Sequence, residues 1–160
     1  MRNMETLLSR HPFLEGFTRD RISTLAPLAS EQRHHLNELI LRRGGEANAC
    51  YLLYDGRVAV ELNDPRAGHL VVQTLERTAL GWSWLVPPYE WEFDVRALGP
   101  VRVIALDAEG LRRICEEDSE WGYLITKRMV SVLGQRLTAA MRQIAMQRPG
   151  AGQQRDITHS

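Results

Sequence analysis

The first thirty residues carry apolar positions at helical spacing: Leu7 and Leu8, then Phe13, Leu14 and Phe17, then Ile22, Leu25 and Leu28. Thr18 and Ser23 are both placed to cap, so the pattern predicts short helices, an N-terminal helical clasp over residues 1–30. From about residue 31 the period changes. Apolar runs become short (Leu39–Leu41, Tyr51–Tyr54, Arg57–Leu62, Leu70–Leu75, Glu92–Leu98 and Val101–Leu106). Turn residues separate them: Asn37-Glu38, Gly44-Gly45, Asp55-Gly56, Asn63-Asp64-Pro65 with Gly68, and Gly99-Pro100. Asp55-Gly56 lies between Tyr-Leu-Leu-Tyr and Arg-Val-Ala-Val-Glu-Leu. It predicts a tight hairpin with a type I′ turn, which needs φ > 0 at both central residues. Short strands of this kind cannot hide their edges in one flat sheet. They predict a β-roll over 31–106, closed as a barrel or a double-sheet jelly roll.

After Asp107, a candidate cap, the helical period returns. Leu111 and Ile114 fit one short helix, and a second begins near Asp118 or Ser119 and runs to about Met146. On it Trp121, Ile125, Met129, Leu133, Leu137 and Met141 recur at four-residue steps. Leu124, Val132, Ala140 and Ile144 trace a second stripe. A helix of roughly 28 residues is about 40 Å long, more than a small barrel covers. One stripe is expected against the barrel and the other on a second copy, giving a homodimer. The reading is therefore mainly β with flanking helices: a double-stranded β-helix (jelly roll), helices over 107–146, and a flexible tail over 147–160, where Pro149, Gly150 and Gly152 break any period.

Composition narrows the function. The 160 residues suit one domain, and 44% hydrophobic with 25% charged is ordinary for a folded chain. Lys plus Arg and Asp plus Glu each number 20, so bulk charge does not favour nucleic acid. Cys50 and Cys115 are too few and too distant for a disulfide scaffold or a CxxC site, and no apolar run reaches membrane-spanning length. A cytoplasmic location is expected, with no membrane partner. Adjacent His34 and His35 would point to opposite faces of a strand, and His11, His69 and His159 show no ligand spacing, so no metal site is expected. Ser83 has no identifiable base and the chain has no Gly-x-Ser-x-Gly, so enzymatic activity is not expected.

His11-Pro12-Phe13-Leu14 with Gly16-Phe17, and Tyr51-Leu52-Leu53-Tyr54-Asp55-Gly56-Arg57-Val58, resemble the entry motif and signature hairpin of the cyclic-nucleotide-binding domain in Crp/Fnr-type (catabolite activator) regulators, over about residues 10–146. A third stretch, Gly81-Trp82-Ser83-Trp84-Leu85 through Asp94-Val95-Arg96-Ala97, occupies the place of that family's phosphate-binding cassette. There a short helix and loop present backbone N–H groups to the cyclic phosphate. The family's Glu after the glycine, which holds the ribose hydroxyl, is Trp82 here. Its phosphate-neutralising Arg falls at Trp91 or Glu92. An absent Arg forfeits about 2–5 kcal/mol against a buried phosphate. The base-contacting hydroxyls of the long helix fall at Ala140 and Met141, so ordinary tight binding of cyclic AMP is not expected. The resemblance carries no N-terminal cysteine cluster for oxygen sensing and no assigned haem ligand. The family's helix-turn-helix module would follow the long helix. With only 14 residues after Met146, DNA reading by that route is not expected.

The resemblance places the ligand site at Gly81, Trp82, Ser83, Trp84, Leu85, Trp91, Glu92 and Arg96, the last being the nearest cation. Trp82, Trp84, Tyr89, Trp91 and Phe93 crowd this segment, and Pro87-Pro88 stiffens it. Two readings follow. In the first, the chain is a regulatory sensor that binds a cyclic nucleotide or an altered, planar or apolar ligand and relays occupancy through the C-terminal helix. In the second, the aromatic rings plug the pocket and the chain is a ligand-free dimeric scaffold.

Overall fold

A computed structural model describes residues 3–147, and the tail from 148 onward, His159 included, lies outside the described residues. Helix α1 (Met4–Arg10) is capped by Asn3, whose side chain accepts from Glu5 N at 3.1 Å. A 3₁₀ turn (Pro12–Leu14), helix α2 (Arg19–Leu25) and a second 3₁₀ turn (Ala26–Leu28) follow. Of the two candidate caps, Thr18 is the one used, accepting from Arg21 N at 3.3 Å. Leu7, Leu8, Phe13, Leu14, Ile22 and Leu25 are buried, which gives the clasp its grip on the roll.

Among the described residues the strands are β1 (Ala29–His34), β2 (Leu39–Leu41), β3 (Ala49–Asp55), β4 (Arg57–Asp64), β5 (Gly68–Glu76), β6 (Ala79–Leu80), β7 (Asp94–Ala97) and β8 (Val101–Asp107). They form two four-stranded antiparallel sheets, ordered β1-β8-β3-β6 and β2-β7-β4-β5. Leu52, Val58, Ala97, Val103 and Leu106 belong to the one continuous core. Among the described residues no helix is long and apolar enough to cross a membrane.

The Asp55-Gly56 expectation needs correction. β3 and β4 lie in different sheets and do not pair, so this dipeptide is a corner between sheets rather than a hairpin. Only Gly56 has positive φ, at +91°, and Asp55 remains part of β3. A Cβ on Gly56 would meet the Pro100 carbonyl oxygen at 2.5 Å and Val101 Cγ1 at 2.7 Å. The second corner, Gly99-Pro100 between β7 and β8, is thus stacked on the first, and Leu98 N donates to Arg57 O at 3.0 Å beside them. The hairpin of this region joins β4 to β5. There Asp64 closes the turn by accepting from Arg66 N at 2.6 Å and Ala67 N at 3.0 Å, and Gly68 takes φ +81°.

Helix α3 (Ala108–Glu117) starts at Asp107, whose carboxylate accepts from Gly110 N at 2.9 Å. Helix α4 (Ser119–Gln147) is the long one. Its first half is bolted to the clasp. Trp121 packs edge-on to Phe17 at 5.9 Å, and Arg128 lies over the Phe17 ring and donates to Phe13 O and Glu15 O. The stripe at four-residue steps divides between the two roles instead of serving one. Trp121, Ile125 and Met129 are buried, whereas Leu137 and Met141 are exposed. The cause is helical geometry: four-residue steps advance about 40° each, so about 200° separates the two ends of the stripe. The residues that stay aligned on the outer face are seven apart: Val130, Leu137 and Ile144, which are 61%, 62% and 65% exposed.

Candidate ligand-binding site

The second sheet builds a floor from one apolar side chain per strand: Leu41 on β2, Val95 on β7, Val60 on β4 and Val72 on β5. Register accounts for the row, since Leu41 and Val60 are both paired with Val95. On β5 the alternation is broken. Val60 opposes Gln73 and Glu61 opposes Val71, which leaves Val72 as an extra residue. This bulge brings both Val72 and Gln73 to the cavity.

Residues 81–93 form the second wall. Trp82 to Leu85 close a single turn, with Leu85 N donating to Trp82 O at 3.1 Å, rather than the short helix of the family cassette. The returning arm is pinned to residues 44–47: Trp91 N donates to Gly45 O at 2.9 Å, Gly44 N to Trp91 O at 2.8 Å, and Ala47 N to Tyr89 O at 2.8 Å. Tyr89, with φ +58°, lies under the Arg112 guanidinium at 4.1 Å. Trp82 meets Phe93 edge-on at 5.9 Å, and Trp91 packs on Tyr51 at 6.2 Å.

The third wall is α4, through Leu133, Arg136, Leu137 and Ala140. Together the walls enclose a cavity of about 330 Å³, at the small end of the ~300–1,000 Å³ typical of small-molecule sites. Of the residues expected at the site, Gly81, Trp82, Ser83, Trp91 and Glu92 line it. Trp84 does not. It is fully buried beside the site, and its indole N–H has no hydrogen-bond partner among the described residues. Leu85 packs against the core. Arg96 is also absent from the lining: its Nε donates to both Glu61 carboxylate oxygens at 3.1 and 3.2 Å, and its Nη1 to Asn37 O at 2.7 Å. With the carboxylate of the buried Glu61 as its partner, this guanidinium already has its counter-charge.

The cation that does line the cavity is Arg136. Its Nη2 donates to Thr78 Oγ1 at 3.4 Å and to the Ala79 carbonyl, and its own carbonyl accepts from Gln73 Nε2 at 2.8 Å. These bonds stitch α4 to the β5–β6 connection. Burial pushes the Arg136 pKa down to about 10. Its signal in the sequence was faint, since it sits between apolar stripes as a surface arginine would.

The sequence model of the cyclic nucleotide-binding domain matches residues 31–118, more than half of the chain. No curated protein sequence matches it. Among solved structures, the chain is similar to a cyclic nucleotide-binding domain from Methylobacillus flagellatus (TM-score 0.77, 14% identity, 92% of this chain and 84% of that one). It is also similar to the sensor domain of the transcriptional regulator DNR from Pseudomonas aeruginosa (TM-score 0.67, 16% identity, 84% and 91%). A third likeness is to the N-terminal domain of a transcriptional regulator from Streptomyces coelicolor (TM-score 0.64, 17% identity, 83% and 94%). The jelly roll, its helices and the matched segment lead to one conclusion: the chain belongs to the cyclic nucleotide-binding domain family.

Proposed function

We propose that the chain is a regulatory sensor domain that takes a small molecule into this cavity and passes its occupancy to α4. The carrying observation is that α4 itself forms a wall through Leu133, Arg136, Leu137 and Ala140, so any occupant touches the helix directly. A ligand shifts a helix only by binding its positions unequally, and direct contact supplies that difference. The open volume of about 330 Å³ weighs against the plugged scaffold, because Trp82 and Trp91 edge the cavity rather than fill it.

The exposed row Val130, Leu137 and Ile144, with Leu133 and Ala140 between, follows the alternating three- and four-residue spacing of a two-stranded coiled coil. A second copy of the chain is the natural cover, and the dimer would carry the signal to a downstream protein. The test is hydrogen exchange across α4 during titration with planar small molecules that raise the melting temperature. Protection gained over residues 130–147 is the expected result. If no such molecule raises the melting temperature at millimolar concentration, the sensor reading fails.

A further inference from the structure

Resting on that reading, we propose that the occupant is a planar, largely apolar monocarboxylate whose anionic end is held by Arg136, with its ring system between the β floor and the aromatic wall. The polarity of the site is reversed relative to a phosphate cassette. Residues 81–93 contain no Lys or Arg, and their charged members are Glu90 and Glu92. A phosphodiester laid against that segment would meet the Glu92 carboxylate, the one of the two that lines the cavity. The cavity's positive charge instead comes from the opposite wall, on α4.

The state of Arg136 points the same way. Only Nη2 is engaged, leaving Nε and Nη1 without a hydrogen-bond partner among the described residues. No carboxylate lies within ion-pair distance of it there either. A guanidinium drawn partly out of water without a counter-charge is costly, and that partial burial holds its pKa down, while Nε and Nη1 stay open to solvent and so to a ligand. A carboxylate ligand would restore the missing charge with planar, paired N–H donors. Ser83, buried and on the lining, adds a hydroxyl. The remaining surface offers Trp82, Trp91, Phe93, Val60 and Val95, which suit stacking and apolar contact rather than a ribose.

The geometry allows a test whose outcomes separate the two proposals. Binding of 1-naphthoate, 1-naphthamide and cyclic AMP is followed by quenching of tryptophan fluorescence and by calorimetry. The expected result is that naphthoate binds at least about tenfold more tightly than its uncharged amide. Arg136→Gln should abolish that preference while amide binding survives, and Arg136→Lys should keep part of it. The acid-to-amide ratio on the unaltered protein stands even if a variant folds poorly. Equal affinity for acid and amide overturns the anion anchor but leaves the sensor reading. So does tight cyclic AMP binding without naphthoate binding. No binding by any of the three overturns this proposal, and failure of a wider panel of planar molecules as well overturns the sensor reading beneath it.

Discussion

A Cβ on Gly81 would lie 2.6 Å from Cζ3 of Trp91, so the glycine and the indole touch directly at the edge of the cavity. Leu41 Cδ1 would stand 3.2 Å from the same Cβ, and Gly81 has φ +72°. Gly81→Ala therefore combines a clash with backbone strain. It should cost about 2–4 kcal/mol in urea unfolding and shift the emission of Trp91. Unchanged stability would mean that the ring moves freely and the contact is not structural.

Trp84 contributes bulk but leaves a buried donor unpaired. Trp84→Ala should cost about 3–5 kcal/mol. Trp84→Phe gives up some volume and also removes the unpaired N–H, whose desolvation costs about 1–3 kcal/mol, so its net loss should stay under about 2 kcal/mol. Chemical denaturation of both variants checks the order.

His11 is built for the neutral state. Its Nδ1 accepts from Phe13 N at 3.1 Å, which leaves Nε2 to donate to Leu53 O at 2.8 Å. Burial first, and Arg77 as a lesser cause, lower its pKa from the ordinary 6.5, against the Leu53 hydrogen bond that raises it. A base with a lowered folded pKa leaves stability undiminished above the unfolded value. As pH falls below 6.5 the unfolded chain takes up a proton that the folded chain refuses, and stability drops until the folded pKa is reached. Urea midpoints between pH 7.5 and 5 should fall more steeply for the wild type than for His11→Gln. Parallel slopes would refute this account.

Val130 and Ile144 lie on the outer row of α4 and do not line the cavity. Val130→Glu with Ile144→Glu should convert a dimer at micromolar concentration into a monomer that keeps its melting temperature to within a few degrees. Sedimentation velocity decides. A monomeric wild type would remove the second copy from the proposal.

Local chemistry is what could be read ahead of the fold. The Asp107 cap, the Asp64-to-Gly68 turn and the runs that became β2, β7 and β8 depend on neighbours a few residues away. β1 was missed because Ser30, Glu31, Gln32, Arg33 and His34 give an edge strand no apolar run. The corner at Gly56 looked like a hairpin because Asp-Gly has the same local preference in both settings, and only contact with Pro100 and Val101 tells them apart. At the site, the aromatic segment was visible as a cluster. Arg96 was not seen to be committed to Glu61, 35 positions away, and Arg136 reaches the cavity only because α4 crosses it. The Val72 bulge likewise depends on register with β4, which no spacing within β5 encodes.

Leu137 has two surfaces to serve: it edges the cavity and also stands in the middle of the outer row. If a second chain covers it, the mouth of the chamber narrows, and a guest already inside stiffens the place where that chain lands. Apparent affinity should then rise with protein concentration, and the guest should tighten self-association by the same factor. One leucine would make a single equilibrium of two measurements usually made apart.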